Sequence, residues 1–155
     1  MNRYLLDTHV ALAYLFGHPL YQQIEADHQL SDPATITLLS VATKAELLSV
    51  AMQNNWEEQQ INRLNALLQR LIIIDINEAD RSLLEAYAQI DSYSQGRLAG
   101  KPLHHKPHSM GSNDLWKAAT AYITNSSLIT TTNFFDHLSG SFIQLVKYPL
   151  PLSGN

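Results

Sequence analysis

The chain has no cysteine and few charged residues. The absence of cysteine among its 155 residues excludes disulfides and thiolate metal sites, so any metal must be held by oxygen or imidazole ligands. Only 15% of the residues are charged, against the roughly 25% that is typical of soluble domains. This scarcity favours a sheet buried on both faces with further hydrophobic contact surface. The net charge of −4 argues mildly against broad nonspecific nucleic-acid binding, but an acidic active site would itself contribute negative charge.

A long hydrophobic run is also missing near the N-terminus. Met1-Asn2-Arg3 leads into a short apolar stretch that Asp7 interrupts, which fits neither a signal peptide nor a membrane span. We therefore expect a cytoplasmic protein without a membrane partner. The length favours a single domain over residues 1–148, followed by a short tail at 149–155.

Strand-like and helix-like segments alternate along the chain. β-branched and apolar runs predict strands at residues 4–6, 34–41, 72–76 and 128–132, with a candidate fifth at 142–146. Apolar spacing and capping residues predict helices at residues 10–16, 20–30, 47–52, 56–71, 80–97 and 115–123, and a loop at 96–111. The alternation predicts an α/β protein whose mostly parallel sheet of four or five strands is covered on both faces.

Four acidic residues fall where these segments join. Asp7 follows the first strand, Glu46 starts the helix after the second, Asp114 opens the last helix, and Asp136 follows the fourth strand. In open α/β sheets the carboxyl ends of the strands form the functional crevice. Carboxylates gathered there would repel one another unless a cation neutralised them, and hard oxygen ligands select Mg²⁺ or Mn²⁺. Such an ion can activate water for displacement at phosphorus.

Structural roles compete with this interpretation. The pattern Thr43-Lys44-Ala45-Glu46 is typical of a capping box, and Asp114 in a first turn would stabilise its helix through the macrodipole. Asp136 could equally be a loop acid. Asp7 is the strongest candidate for chemistry, because an acid that closes an apolar strand is expected to gain little structurally.

Four segments together resemble the PIN-domain ribonucleases, and especially the VapC-like toxins of toxin–antitoxin pairs. They are YLLDTHV at 4–10, KAELL at 44–48, SNDLWKAATA at 112–121 and LITTTN at 128–133. The resemblance spans nearly the whole chain, with the segments in order. It implies a three-layer α/β/α sandwich, Mg²⁺- or Mn²⁺-dependent cleavage of RNA, homodimerisation, and neutralisation by a cognate antitoxin.

The resemblance also implies roles for single residues. Asp7, Glu46 and Asp114 match the family's three core acids, and Thr8 matches the small hydroxyl residue that supports the first. Where a fourth acid or asparagine is usual, this chain offers Asn133, with Asp136 three residues later. Either could reach the metal. His9 stands where asparagine is frequent in the family, and its ring either supports the site or packs locally.

A basic segment points to the same substrate. Arg97, Lys101, Lys106 and Lys117 outnumber the one acid, Asp114, between residues 97 and 117. We expect Arg97, Lys106 and Lys117 to contact an RNA backbone, together with Thr8 and Asn133 near the acids. The alternative is a solvated loop. His104, His105 and His108 could form a zinc site, although no cysteine completes it.

Two other functions remain open from the sequence. A haloacid-dehalogenase-type phosphatase also places an aspartate after its first strand, but it requires a second aspartate at the position of His9. A catalytically inactive PIN-fold module would only bind a partner or RNA. Trp56 and Phe134 are candidate exposed apolar residues for the expected self-association.

Overall fold

The computed structural model describes residues 2–150. Within them, five strands alternate with six helices and a 3₁₀ turn. The strands are β1 (Arg3–Leu6), β2 (Ile36–Ser40), β3 (Ile72–Ile74), β4 (Ser127–Thr130) and β5 (Gln144–Lys147). The helices are α1 (Thr8–Phe16), α2 (Pro19–His28), α3 (Val41–Gln53), α4 (Glu58–Arg70), α5 (Arg81–Ser94) and α6 (Ser112–Thr124), and the 3₁₀ turn is Asp136–Leu138.

The five strands form one parallel sheet in the order β3-β2-β1-β4-β5. The predicted α/β architecture, with a parallel sheet of five strands, is confirmed. The chain first adds strands on one side of β1 and then returns to its other side. The boundary between β1 and β4 is therefore the topological switch point, where α/β folds open a crevice beyond the carboxyl ends of the strands.

The sheet is buried on both faces because alternate residues of each strand point to opposite layers. Leu5 of β1 and Leu128 of β4 enter a core with α5 and α6, whereas Leu6 and Ile129 enter a second core with α1, α3 and α4. These side chains are at most 1% exposed. The two cores explain the near-continuous hydrophobic strands of the sequence.

Helix α3 begins one turn earlier than its capping pattern predicts. Ser40, the last residue of β2, caps it by accepting a hydrogen bond from the Ala42 N–H at 3.2 Å. Thr43 is buried inside the helix and its hydroxyl has no hydrogen-bond partner. The capping-box role of Glu46 is therefore wrong, because Glu46 is the sixth residue of α3. Its carboxylate is thus not required for starting the helix.

The exposed apolar residues differ in part from those expected. Phe134 is 61% exposed, as predicted, but Trp56 is half-buried and its ring packs edge-on against Phe16 with 5.2 Å between centroids. Phe16 of α1 and Met52 of α3 are exposed, and both helices cover the same face of the sheet. None of the helices in residues 2–150 is long and apolar enough to cross a bilayer. Residues 151–155 of the predicted tail lie outside the described part.

A buried histidine ties the long loop to the helical layer. Ser94, at the end of α5, donates its hydroxyl to the Ile90 carbonyl at 2.8 Å and lies 2.7 Å from His137 Nε2. When the single hydroxyl proton goes to the Ile90 carbonyl, the neutral ring completes the pair by donating its Nε2–H to Ser94. The loop attaches at the same point, where the His108 N–H donates to the Ser94 carbonyl at 3.0 Å. Burial, with His108 and His105 nearby and Asp136 opposing, lowers the pKa of His137 to about 4.

Acidification is predicted to destabilise the fold through His137. Below the ordinary pKa of 6.5 the unfolded chain takes up a proton that the folded chain refuses until about pH 4. The free energy of unfolding should fall across this interval by about 3 kcal/mol. Urea unfolding at a series of pH values measures it. His137→Gln should flatten the dependence, whereas Ser94→Ala should lower stability at neutral pH and keep the slope. Parallel loss of stability in wild type and His137→Gln would contradict a neutral buried His137.

Candidate active site

Asp7 lies at the switch point between β1 and β4. Its backbone N–H continues the β1–β4 ladder by donating to the Ile129 carbonyl at 3.0 Å, and its carboxylate caps α1 by accepting from the Thr8 N–H at 2.8 Å. Thr130, the last residue of β4, donates its hydroxyl to Asp7 Oδ2 at 2.6 Å. The expectation that Asp7 gains little structurally is therefore wrong. The same carboxylate caps a helix and faces the crevice.

Glu46 and Asp114 reach the same place from two helices. The Lys117 Nζ of α6 lies 2.8 Å from Asp7 Oδ1, 2.8 Å from Glu46 Oε1 and 3.8 Å from Asp114 Oδ1. The structure thus brings together three of the four acids that the sequence pointed to, around one nitrogen. The Glu46 Oε1 contact is as short as the Asp7 Oδ1 contact, so Lys117 pairs with both carboxylates at the same distance.

The acids have unequal tendencies to ionise. Burial raises the pKa of Asp7, but the Lys117 ammonium and the hydrogen bonds from Lys117, Thr130 and Thr8 outweigh it and hold that pKa below its usual value. Burial dominates at Asp114 and raises its pKa, and the negative charges of Asp7 and Glu46 add to the effect. Burial lowers the pKa of Lys117, yet its carboxylate partners raise it above the usual value overall. The surrounding carboxylates thus favour the charged form of Lys117.

Lys117 is buried, unlike the exposed cations of the loop. From the sequence, Lys117 is predicted to contact RNA, but the residue is 2% exposed and its ammonium is enclosed by carboxylates and by Thr8 Oγ1 at 3.1 Å. A signal for this placement exists in the sequence. Lys117 follows Asp114 by three residues, and residues at that spacing share one face of a helix.

Asp136 lies outside this cluster. Its two carboxylate oxygens each accept from Lys147 Nζ at 3.0 Å, and Asn133 Oδ1 accepts from the same ammonium at 3.0 Å. Asp136 makes no contact with Lys117 in the described residues. The structure therefore pairs Asn133 and Asp136 with each other through Lys147, a residue that the sequence analysis did not single out.

The loop between α5 and α6 carries exposed cations. Arg97 and Lys106 are exposed, whereas Lys101 donates to the Ser141 carbonyl at 2.7 Å and lies 4.0 Å from the centre of the Phe142 ring. The three loop histidines are exposed, namely His104, His105 and His108. Across residues 2–150, no group of three or more acidic or histidine side chains is arranged to hold a metal. This applies to the loop histidines, and also to Asp7, Glu46 and Asp114, which surround an ammonium instead. His9 is exposed on α1.

The three carboxylates are chemically suited to a hard divalent cation, although they are arranged around an ammonium. Asp7, Glu46 and Asp114 offer carboxylate oxygens alone, which are the ligands that Mg²⁺ and Mn²⁺ prefer. Three carboxylates against one ammonium leave negative charge that a dication would balance. A cavity of about 320 Å³ adjoins the site, and Asp114, His108, Met110 and Phe134 contribute to its lining.

The chain is similar to known proteins in sequence and in fold. The family model of the PIN domain matches residues 4–139. No curated protein matches the chain. Among solved structures, a chain of VapBC-1 from nontypeable Haemophilus influenzae is 27% identical, with a TM-score of 0.66 over 94% of this chain and 97% of that one.

Two further structures share the fold. A chain of VapBC2 from Rickettsia felis, bound to a DNA fragment from its promoter, is 23% identical with a TM-score of 0.69, over 94% of this chain and 98% of that one. A chain of DNA-bound VapBC from Salmonella typhimurium is 18% identical with a TM-score of 0.64, over 95% and 98%. Because the family model covers most of the sequence and the sheet places three acids at its switch point, the chain belongs to the PIN domain family, whose members are generally nucleases.

Proposed function

We propose that this protein is a metal-dependent endoribonuclease and the toxin of a toxin–antitoxin pair. The observation that carries the proposal is the convergence of Asp7, Glu46 and Asp114 on one nitrogen at the switch point. Membership of the PIN family supports hydrolysis of a nucleic acid by such a site. The phosphatase alternative loses its support, because the matching family is a different one.

The three acids would hold Mg²⁺ or Mn²⁺ through their carboxylate oxygens. The ion would supply a water of lowered pKa and a positive charge next to the scissile phosphate. Thr130 and Thr8 orient Asp7, since they hydrogen-bond both of its oxygens. Asp136 and Asn133 remain candidates for an outer role, in which Lys147 would hold them until substrate arrives.

RNA is the proposed substrate because the surroundings of the acids suit a single strand. The exposed loop cations Arg97 and Lys106 would contact phosphates without reading sequence. The cavity beside Asp114 presents the exposed ring of Phe134, and unpaired bases stack on such rings. The carboxylates of the site thus lie next to the apolar lining of the cavity.

Removal of Asp7's charge is predicted to abolish cleavage. Asp7→Asn should lower the rate on a fluorescent single-stranded RNA by at least about 100-fold, since one metal ligand is worth several kcal/mol. Asparagine caps helices as well as aspartate, so α1 should persist. Asp80→Asn is the matched control, because Asp80 caps α5 away from the site. EDTA should stop the wild type, and added Mn²⁺ should restore it. Full activity of Asp7→Asn would falsify the mechanism, and folded but inactive wild type would favour the inert binding module.

The loop cations are predicted to act on binding. Arg97→Gln and Lys106→Gln should each raise KM with little change in kcat, and each should reduce the slope of log affinity against log salt by about one. Fluorescence anisotropy with a labelled RNA and the Asp7→Asn protein measures this slope. Arg63→Gln is the control, because Arg63 is exposed on α4 in the opposite layer. An unchanged slope in the loop variants would mean that these charges are only solvated.

The toxin role is supported by the structural relatives. The Haemophilus influenzae and Rickettsia felis structures are described as VapBC pairs, and the second was solved on promoter DNA. The exposed apolar side chains of Phe16 and Met52 suit an interface with another chain. We therefore include a homodimer and a cognate antitoxin in the proposal.

A neighbouring open reading frame is predicted to encode the antitoxin. Coexpression of both should give one complex in size-exclusion chromatography with light scattering, and the protein alone should give the mass of a dimer. Expression alone should arrest growth with Asp7 intact and spare it with Asp7→Asn. A monomer at every concentration would remove the homodimer, and growth arrest by Asp7→Asn would remove nuclease toxicity.

A further inference from the structure

Lys117 brings a positive charge into the middle of the proposed metal ligands. Its Nζ contacts Asp7, Glu46 and Asp114 at 2.8, 2.8 and 3.8 Å. In the part of the chain that the structure describes, no other lysine, arginine or histidine pairs with any of these three acids. One nitrogen therefore contacts every carboxylate of the site.

Packing holds this ammonium in place. Lys117 lies one turn after Asp114, and the next two residues of α6, Ala118 and Ala119, are fully buried. The helix cannot shift outward without opening the core that it shares with α5. The position of the Lys117 backbone is thus fixed, and its side chain has Asp7 and Thr8 as hydrogen-bond acceptors.

We propose that Lys117 is an internal counter-ion that competes with the divalent cation for Asp7 and Glu46 and thereby weakens metal binding. The inference rests on the proposed metal site. An ammonium and a dication drawn to the same oxygens repel each other, strongly so in a buried site. The ammonium also relieves the repulsion among the acids, so the metal-free protein stays folded. Lys117 is accordingly a positioning residue that acts through Asp7 and Glu46.

Mn²⁺ binding to the full chain tests the proposal. Free Mn²⁺ is measured by electron paramagnetic resonance during titration of metal-free protein. Lys117→Met and Lys117→Gln both remove the charge, and the glutamine keeps a hydrogen-bond donor for Asp7. Each should bind Mn²⁺ at least about tenfold more tightly than wild type. Lys101→Met removes the same net charge at the Phe142 ring and should leave the Mn²⁺ affinity unchanged.

Stability gives a second measurement that does not depend on activity. Without metal, the Lys117 variants should unfold at lower temperature than wild type, and Mn²⁺ should raise their unfolding temperature more than it raises that of wild type. Lys117→Met combined with Asp114→Asn restores the wild-type charge of the site and should recover metal-free stability. Variants that fold only with Mn²⁺ would also support the proposal, because the dication then replaces the ammonium.

The contrary outcomes are distinct. Equal or weaker Mn²⁺ binding in the neutral variants overturns the counter-ion role and leaves the metal site standing. Variants that stay unfolded with and without Mn²⁺ also overturn it, since the dication then cannot replace the ammonium. If neither wild type nor any variant binds Mn²⁺, the proposed metal site itself fails, together with the inference.

Discussion

The contact between the Lys117 ammonium and the three carboxylates is the constraint on which the site depends. Like charges at a sheet edge repel, and burial strengthens that repulsion because water no longer screens it. Breaking such a buried pair by removing one partner is costly, since a charge is left uncompensated. A cation between the acids relieves this repulsion, and here the Lys117 ammonium does so. Nuclease chemistry and fold stability are thus coupled through one small group of side chains.

The order of the strands explains how distant acids meet. β1 and β4 are neighbours although more than a hundred residues separate them in the sequence. Asp7 continues the ladder between them, and Thr130 at the end of β4 hydrogen-bonds its carboxylate. Helices α1 and α3, which follow β1 and β2 directly, begin at this same edge. The topology therefore positions the side chains before any ligand is present.

The sequence predicts the strands and helices and the three acids that meet at the site. It does not predict contacts for which a side chain has several possible partners. Hydrophobic runs bounded by polar residues located every strand, because burial on two faces leaves a strong pattern. The start of α3 was missed because Ser40 and Thr43 are both plausible caps, and only packing decides between them. The sequence places Lys117 among the RNA-contacting cations because it closes a basic segment and because a lysine is almost never buried unless it is paired. Its partners are remote in sequence, so the pairing is visible only in the fold.

The edges of the sheet limit how copies of this protein can associate. β3 at one edge has only three residues, and β5 at the other ends in Lys147, two residues before Pro149, which lacks an N–H to donate. Short and charged edges of this kind discourage strand-to-strand addition between molecules. Assembly, whether with itself or with another chain, would then proceed through helical surfaces, and the protein is guarded against the continuous sheet extension that leads to aggregates.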